Sequence, residues 1–220
     1  MYVTNPGDWY ATLNFPTDSS GAIHTYPSSA IQWLYATAGE GDSYENPALD
    51  SFTEMVMSWS DSVPSSTTGT VTDVGFDDWM NDWANEVMVQ TQMVNTDVCT
   101  DWMTVIATDV EFGGSNGVPD GYWNLCQNGT FSSSSIPELV WQYYAPAGSE
   151  NFGESSGSID LYHMLKYLEG NDICKTATGT TDCLPANSTF TQTTFGMEVN
   201  GTAGTNQTFT LSSWTMTEVQ

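Results

Sequence analysis

The strongest constraint on the fold is a two-residue rhythm in Asn85-Glu86-Val87-Met88-Val89-Gln90-Thr91-Gln92-Met93. Side chains of an extended strand alternate between faces, so Val87, Val89 and Thr91 share one side and Glu86, Met88 and Gln90 the other. One face is dry and the other carries a carboxylate. Upstream, Asn81-Asp82-Trp83-Ala84 reads as a polar turn, and Gly75-Phe76-Asp77-Asp78-Trp79-Met80 before it can fold back antiparallel. Such a hairpin brings Asp77 and Trp79 onto the face of Glu86. Two acids and an indole on one surface suit sugar chemistry better than a core.

The same rhythm recurs along the chain. Residues 8–15, 22–26, 51–60, 105–110, 122–127, 139–144, 190–199 and 208–217 read as strands, separated by segments rich in Gly, Pro, Ser and Asp. In 51–60, Met55, Met57 and Trp59 alternate with Glu54, Val56 and Ser58. Near the C-terminus, Glu198 shares a face with Gly196 and Asn200, opposite Phe195, Met197 and Val199. Residues 34–46 read as an exposed loop. One helix is expected from about Ser158 to Leu168, with Ile159, Leu161, Leu165 and Leu168 on its apolar stripe, Ser158 as cap and Gly170 as stop. At 220 residues this pattern fits one all-β domain, residues 1–220, with the helix laid against a sheet.

Composition narrows the partners. Twenty-seven acids stand against two lysines and no arginine, a formal charge of -25, where roughly 2–8 units keep a small domain soluble. Phosphate recognition needs clustered cations, so nucleic acid and anionic membrane are excluded as partners. The acids are scattered and aromatics make up 13% of the chain, so it can bury a core. Such self-repulsion points to high salt, to acid, or simply to a well-solvated secreted surface. No run approaches the ~20 apolar residues of a membrane span. Met1-Tyr2-Val3-Thr4-Asn5 has no basic start or apolar stretch and so does not read as an export signal; either a signal was removed before this numbering began or the chain is a fragment.

Cys99, Cys126, Cys174 and Cys183 permit three pairings, and none has the close spacing of a zinc site. Disulfides fit better. Cys174 and Cys183 bracket a short loop whose closure contributes up to about 3 kcal/mol, leaving Cys99 with Cys126. His24 and His163 are isolated, and no metal or organic cofactor is expected.

Four short motifs then stand in a telling order. Thr25-Tyr26-Pro27 matches a Ser/Thr-Tyr-Pro element, Phe76-Asp77-Asp78-Trp79 a Tyr-Asp-x-Trp strand, Glu86-Val87-Met88-Val89-Gln90 a Glu-x-Met-x-Trp strand, and Gly196-Met197-Glu198 a Gly-x-Glu strand. Over nearly the whole chain they resemble glycoside hydrolase family 12, the β-jelly-roll endoglucanases and xyloglucanases. The resemblance implies two packed antiparallel sheets in a jelly-roll sandwich, one helix on the outer side, and a monomeric, secreted enzyme acting on β-glucan. The chain departs from the family at Gln90, where many members carry Trp, and at Asp78, where an apolar residue is usual. An insertion is expected around 99–121, and the family's opening Asn-x-Trp strand has no counterpart before Asp8, so the first strands are expected to be missing.

The chemistry follows from two carboxyl groups. Hydrolysis with retention needs one to attack the anomeric carbon and another to protonate the leaving oxygen, roughly 5–5.5 Å apart. Glu86 is the expected nucleophile, Glu198 the acid/base, and Asp77 the residue that positions the nucleophile. Trp79, Met88, Trp123 and Tyr143 are the expected sugar-binding side chains. The competing classes are a noncatalytic carbohydrate-binding sandwich, with the same aromatics and no turnover, and a surface structural protein whose acidity only keeps it in solution.

Overall fold

The computed structural model describes residues 2–5, 7–16, 23–32, 35–36, 44–65, 69–94, 103–114, 117–128, 139–145, 154–169 and 184–219. Two sheets dominate them. A five-stranded sheet runs in the order β1 (Tyr2–Asn5), β2 (Asp8–Leu13), β14 (Gln207–Val219), β6 (Glu54–Ser62) and β12 (Ser156–Asp160). A seven-stranded sheet runs β3 (Ser28–Gln32), β13 (Phe190–Gly201), β7 (Val71–Met80), β8 (Asn85–Val94), β11 (Leu139–Tyr144), β10 (Gly121–Asn128) and β9 (Met103–Phe112). Inside the segment expected as a loop, β4 (Tyr35–Ala36) and β5 (Tyr44–Glu45) form a separate small pair.

The architecture is the expected two-sheet sandwich, and its strand pairs are antiparallel except β11 with β8, which run parallel. The reason is topological: β9 and β10 carry the chain out to the sheet edge, and β11 returns to the gap between β10 and β8.

Alternation fills the space between the sheets. Trp9, Met55, Met57, Trp59, Phe209, Leu211 and Trp214 point inward from the smaller sheet, and Val74, Phe76, Val87, Val89, Phe195, Met197 and Val199 from the larger. Aromatic rings meet there: Phe76 lies 4.7 Å from Phe195 of its own sheet and, across the interface, 5.8 Å from Trp59 between centroids. Burying each such ring stabilises the sandwich by about 1.5–3 kcal/mol.

The hairpin of β7 and β8 forms as its pattern predicts. Asn81, Asp82 and Trp83 all adopt positive φ (54°, 54° and 70°), a conformation that Asn and Asp tolerate better than most residues. Asn81 locks the turn, donating to Asn85 Oδ1 at 2.7 Å and accepting from Thr189 N at 2.9 Å. A bulge interrupts the pairing between Val74 and Gly75. There the strands approach so closely that a Cβ on Gly75 would stand 2.3 Å from the carbonyl oxygen of Val89.

The helix starts later than its pattern suggests. Ser156–Asp160 is strand β12, paired with β6, because Gly157 admits the Trp59 ring, 2.8 Å from where a Cβ would be. The helix α1 (Leu161–Leu168) follows, and its cap is Asp160 rather than Ser158, with Oδ1 accepting from His163 N at 3.2 Å. Leu161, Met164, Leu165 and Leu168 are buried, and Lys166 near the C-terminal end bonds Asp50 at 2.6 Å and also Glu169. Cys126 is buried in β10 and is not a free thiol. Cys99, Cys174 and Cys183 lie outside the described residues, and with them the expected pairing.

Candidate active site

The outer face of the seven-stranded sheet carries the acids. Register across β13, β7 and β8 decides which residues meet there. Glu86 pairs with Trp79, Met88 with Asp77, and Gln90 with Gly75. On the other side of β7, Thr194 pairs with Asp77, Gly196 with Gly75 and Glu198 with Asp73. Glu86 and Glu198 therefore flank β7 from opposite sides, near the two ends of its Asp73–Trp79 run, and Asp77 lies between them. Phe76, Asp78, Val87 and Val89 occupy the inner face, as alternation requires.

Three of the expected site residues thus share a surface with Trp79 and Met88. The Trp79 indole donates to Asp77 Oδ2 at 3.2 Å and packs tilted against Trp83, with ring centroids 5.4 Å apart. Met88 is half-buried beside Asp77.

Two residues join this group that the motif analysis did not assign. Asp73 directly faces Glu198 across β7 and β13. Continuing the alternation Trp79, Asp77, Gly75 one step further finds it. Tyr26 is the second: its hydroxyl lies 2.9 Å from Thr194 Oγ1, and Thr194 Oγ1 in turn donates to the Asp77 carbonyl at 3.3 Å. Burial first, then the charges of Asp77, Glu198 and Glu86, hold the Tyr26 phenol well above its usual range, so it stays neutral. Its only sequence signal was the Thr25-Tyr26-Pro27 motif.

Electrostatics marks Glu198. Burial, then the neighbouring Asp73 and Asp77 carboxylates, pushes Glu198 up to about 8. A carboxyl still protonated near neutrality can donate a proton to a leaving oxygen. Asp78, wholly buried on the inner face, is raised well above the carboxylate range by burial and accepts from the Thr193 hydroxyl. That bond explains how a polar residue stands where the family usually has an apolar one.

Trp123 and Tyr143 are corrected. Both are buried on the inner face; Tyr143 is fully enclosed, with its hydroxyl donating to Met164 O at 2.8 Å, and Trp123 belongs to the core. Each sits in an aromatic dipeptide, Tyr122-Trp123 and Tyr143-Tyr144, so one ring must face each way. Asn124 pairs with Tyr144, and Tyr144 with Gln90, which puts Tyr122 and Tyr144 on the outer face. Tyr122 is 49% exposed and Tyr144 half-buried, so these rings, rather than Trp123 and Tyr143, reach the outer surface. Among the described residues no group of three or more ligating side chains is placed to hold a metal ion, and no helix is long and apolar enough to cross a membrane.

No family model matches the sequence, and no curated protein does. Solved structures do match. The chain is similar to a family 12 xyloglucanase from Bacillus licheniformis in complex with ligand, at TM-score 0.69 and 17% identity over 99% of this chain and 84% of that one. It is similar to the xyloglucanase domain of NopAA, a type three effector from Sinorhizobium fredii, in complex with cellobiose, at TM-score 0.67 and 17% identity over 99% and 85%. Endoglucanase 3 of family GH12 from Trichoderma harzianum matches at TM-score 0.64 and 17% identity over 96% and 78%. The protein therefore has the jelly-roll fold of the family 12 glycoside hydrolases.

Proposed function

We propose that this protein is a secreted, retaining endo-β-1,4-glucanase acting on cellulose, mixed-linkage glucan or xyloglucan. Glu86 attacks the anomeric carbon, Glu198 protonates the leaving glycosidic oxygen and then activates water, and Asp77 positions Glu86. The observation that carries the proposal is the placement of Glu86, Asp77 and Glu198 on one sheet face, where burial and the neighbouring Asp73 and Asp77 push Glu198 up to about 8. Trp79 and Met88 beside the acids, and Tyr144 and Tyr122 further along the sheet, offer flat or apolar surfaces to successive sugar rings. The similar Bacillus and Sinorhizobium structures, a xyloglucanase with ligand and a xyloglucanase domain with cellobiose, favour β-glucan over other polysaccharides.

Reducing-sugar release from carboxymethylcellulose, mixed-linkage β-glucan and xyloglucan tests the activity. Glu198→Gln should lower kcat by at least about 10²-fold, the lower bound for losing a positioned proton donor, and Glu86→Gln, which removes the nucleophile, should abolish turnover. Activity should fall as pH rises through about 8, because Glu198 must hold its proton to act as acid. The first product seen by proton NMR should be the β-anomer; an α-anomer would exclude retention. Binding to insoluble glucan without turnover would instead identify a carbohydrate-binding sandwich.

A further inference from the structure

Two of the sequence motifs meet in one place. Thr25 bridges to Val199 and Ser28 pairs with Gly196, so Tyr26 falls opposite Glu198 in the same antiparallel register. Backbone bonds hold it there from both sides: Val199 N donates to Thr25 O at 2.9 Å, and Met197 N to Pro27 O at 3.2 Å. From that position the side chain does not stand upright. It lies along β13 across Gly196 and reaches Thr194 Oγ1. A Cβ on Gly196 would stand 2.5 Å from Tyr26 Cε2 and 2.8 Å from Cζ. The glycine of the Gly-x-Glu motif is thus the bed for the tyrosine of the Thr-Tyr-Pro motif.

We propose that Tyr26 is a positioning residue of the candidate active site: its ring, laid over Gly196, walls the floor between Glu198 and the Asp77–Glu86 pair and keeps water from Glu198 on that side. This rests on the glucanase reading of the site. The ring does the shielding, and the hydroxyl ties Thr194, and through it the Asp77 backbone, into the same assembly. An ionisable side chain in that place would add a further charge beside three acids. A neutral phenol adds none, and it remains neutral because those acids and its burial oppose ionisation.

Ring and hydroxyl can be separated by substitution. Tyr26→Phe keeps the ring and deletes one hydrogen bond, so kcat should drop by about five-fold with KM within about two-fold and the alkaline limb of the pH profile in place. Tyr26→Ala opens the floor to water. Both that limb and the Glu198 carboxyl midpoint, followed by carbon-13 NMR, should then move lower by at least about one pH unit. Gly196→Ala should shift the midpoint the same way by driving the ring off its bed, and it serves if Tyr26→Ala does not fold. A Glu198 midpoint that stays at the wild-type value in the folded variants overturns the proposal. The NMR midpoint needs no turnover, so a wild-type protein without glucanase activity would sink the hydrolase reading and still leave the placement of Tyr26 testable.

Discussion

Asp61 faces the core from β6, nearly inaccessible to solvent, and neither of its carboxylate oxygens has a hydrogen-bond partner among the described residues. Burial pushes it up to about 7. Below about pH 4 both the folded and unfolded chains hold this proton, and the site costs nothing electrostatic. As pH rises from there the unfolded chain ionises first, so stability declines until about pH 7, above which the loss is complete. Asp61→Asn should flatten this decline, raising stability at pH 8 by on the order of 2 kcal/mol while changing little at pH 4. Urea denaturation at the two pH values measures it; an equal gain at both would assign the effect to packing instead. Glu198 contributes in the same direction over its own range, up to about 8. Of these two acids only Glu198 announced itself beforehand, because it lies in a motif. Asp61 continues the inward series Met55, Met57, Trp59, but that series reads equally well as a strand that ends before it.

At the scale of strands, the decisive quantity is register. The hairpin of β7 and β8 was legible because its period and its turn lie in one short stretch, and it carried Glu86, Asp77, Trp79 and Met88 to one face without further information. The aromatic dipeptides were not legible in the same way. Which ring of Tyr143-Tyr144 faces outward depends on parallel pairing of β11 with β8, a contact made only after β9 and β10 have been placed. The two tyrosines should behave oppositely. Tyr143→Ala should destabilise the fold by about 3–5 kcal/mol, as large truncations in a core do, visible in thermal unfolding. Tyr144→Ala should leave the melting temperature nearly unchanged and raise KM for glucan oligosaccharides roughly 2- to 10-fold. Likewise β12 was hidden within a helical stripe, since Ile159 and Leu161 suit either period and only Trp59, distant in sequence, holds Gly157 extended. Gly75→Ala, with a methyl forced against the Val89 carbonyl, should cost about 1–3 kcal/mol in urea denaturation.

For the molecule as a whole, charge and acid placement make separable demands. Exposed carboxylates in a chain of net charge -25 repel one another through solvent, and salt screens that repulsion over about 10 Å at 0.1 M. Adding sodium chloride at pH 7.5 should therefore raise the urea midpoint. Salt cannot relieve Asp61 or Asp78, which are enclosed by protein, whereas acid can. Lowering pH to 5 at fixed salt should stabilise the protein further, and if it does not, the inward-facing acids are ionised and compensated. The all-β class was visible in the alternation and the two-sheet sandwich in the resemblance to family 12, but the meeting of Tyr26 with Glu198 was not, because only the closed fold brings such distant positions together.

The C-terminal pair β13 and β14 places one strand in the interior of each sheet, between β3 and β7 in the larger and between β2 and β6 in the smaller. Without these two strands, each layer consists of two unjoined pieces with bare edges facing an empty slot. Glu198 lies on the strand that fills the slot of the larger sheet, so the face it shares with Asp77 and Glu86 exists only once β13 has bridged β3 to β7.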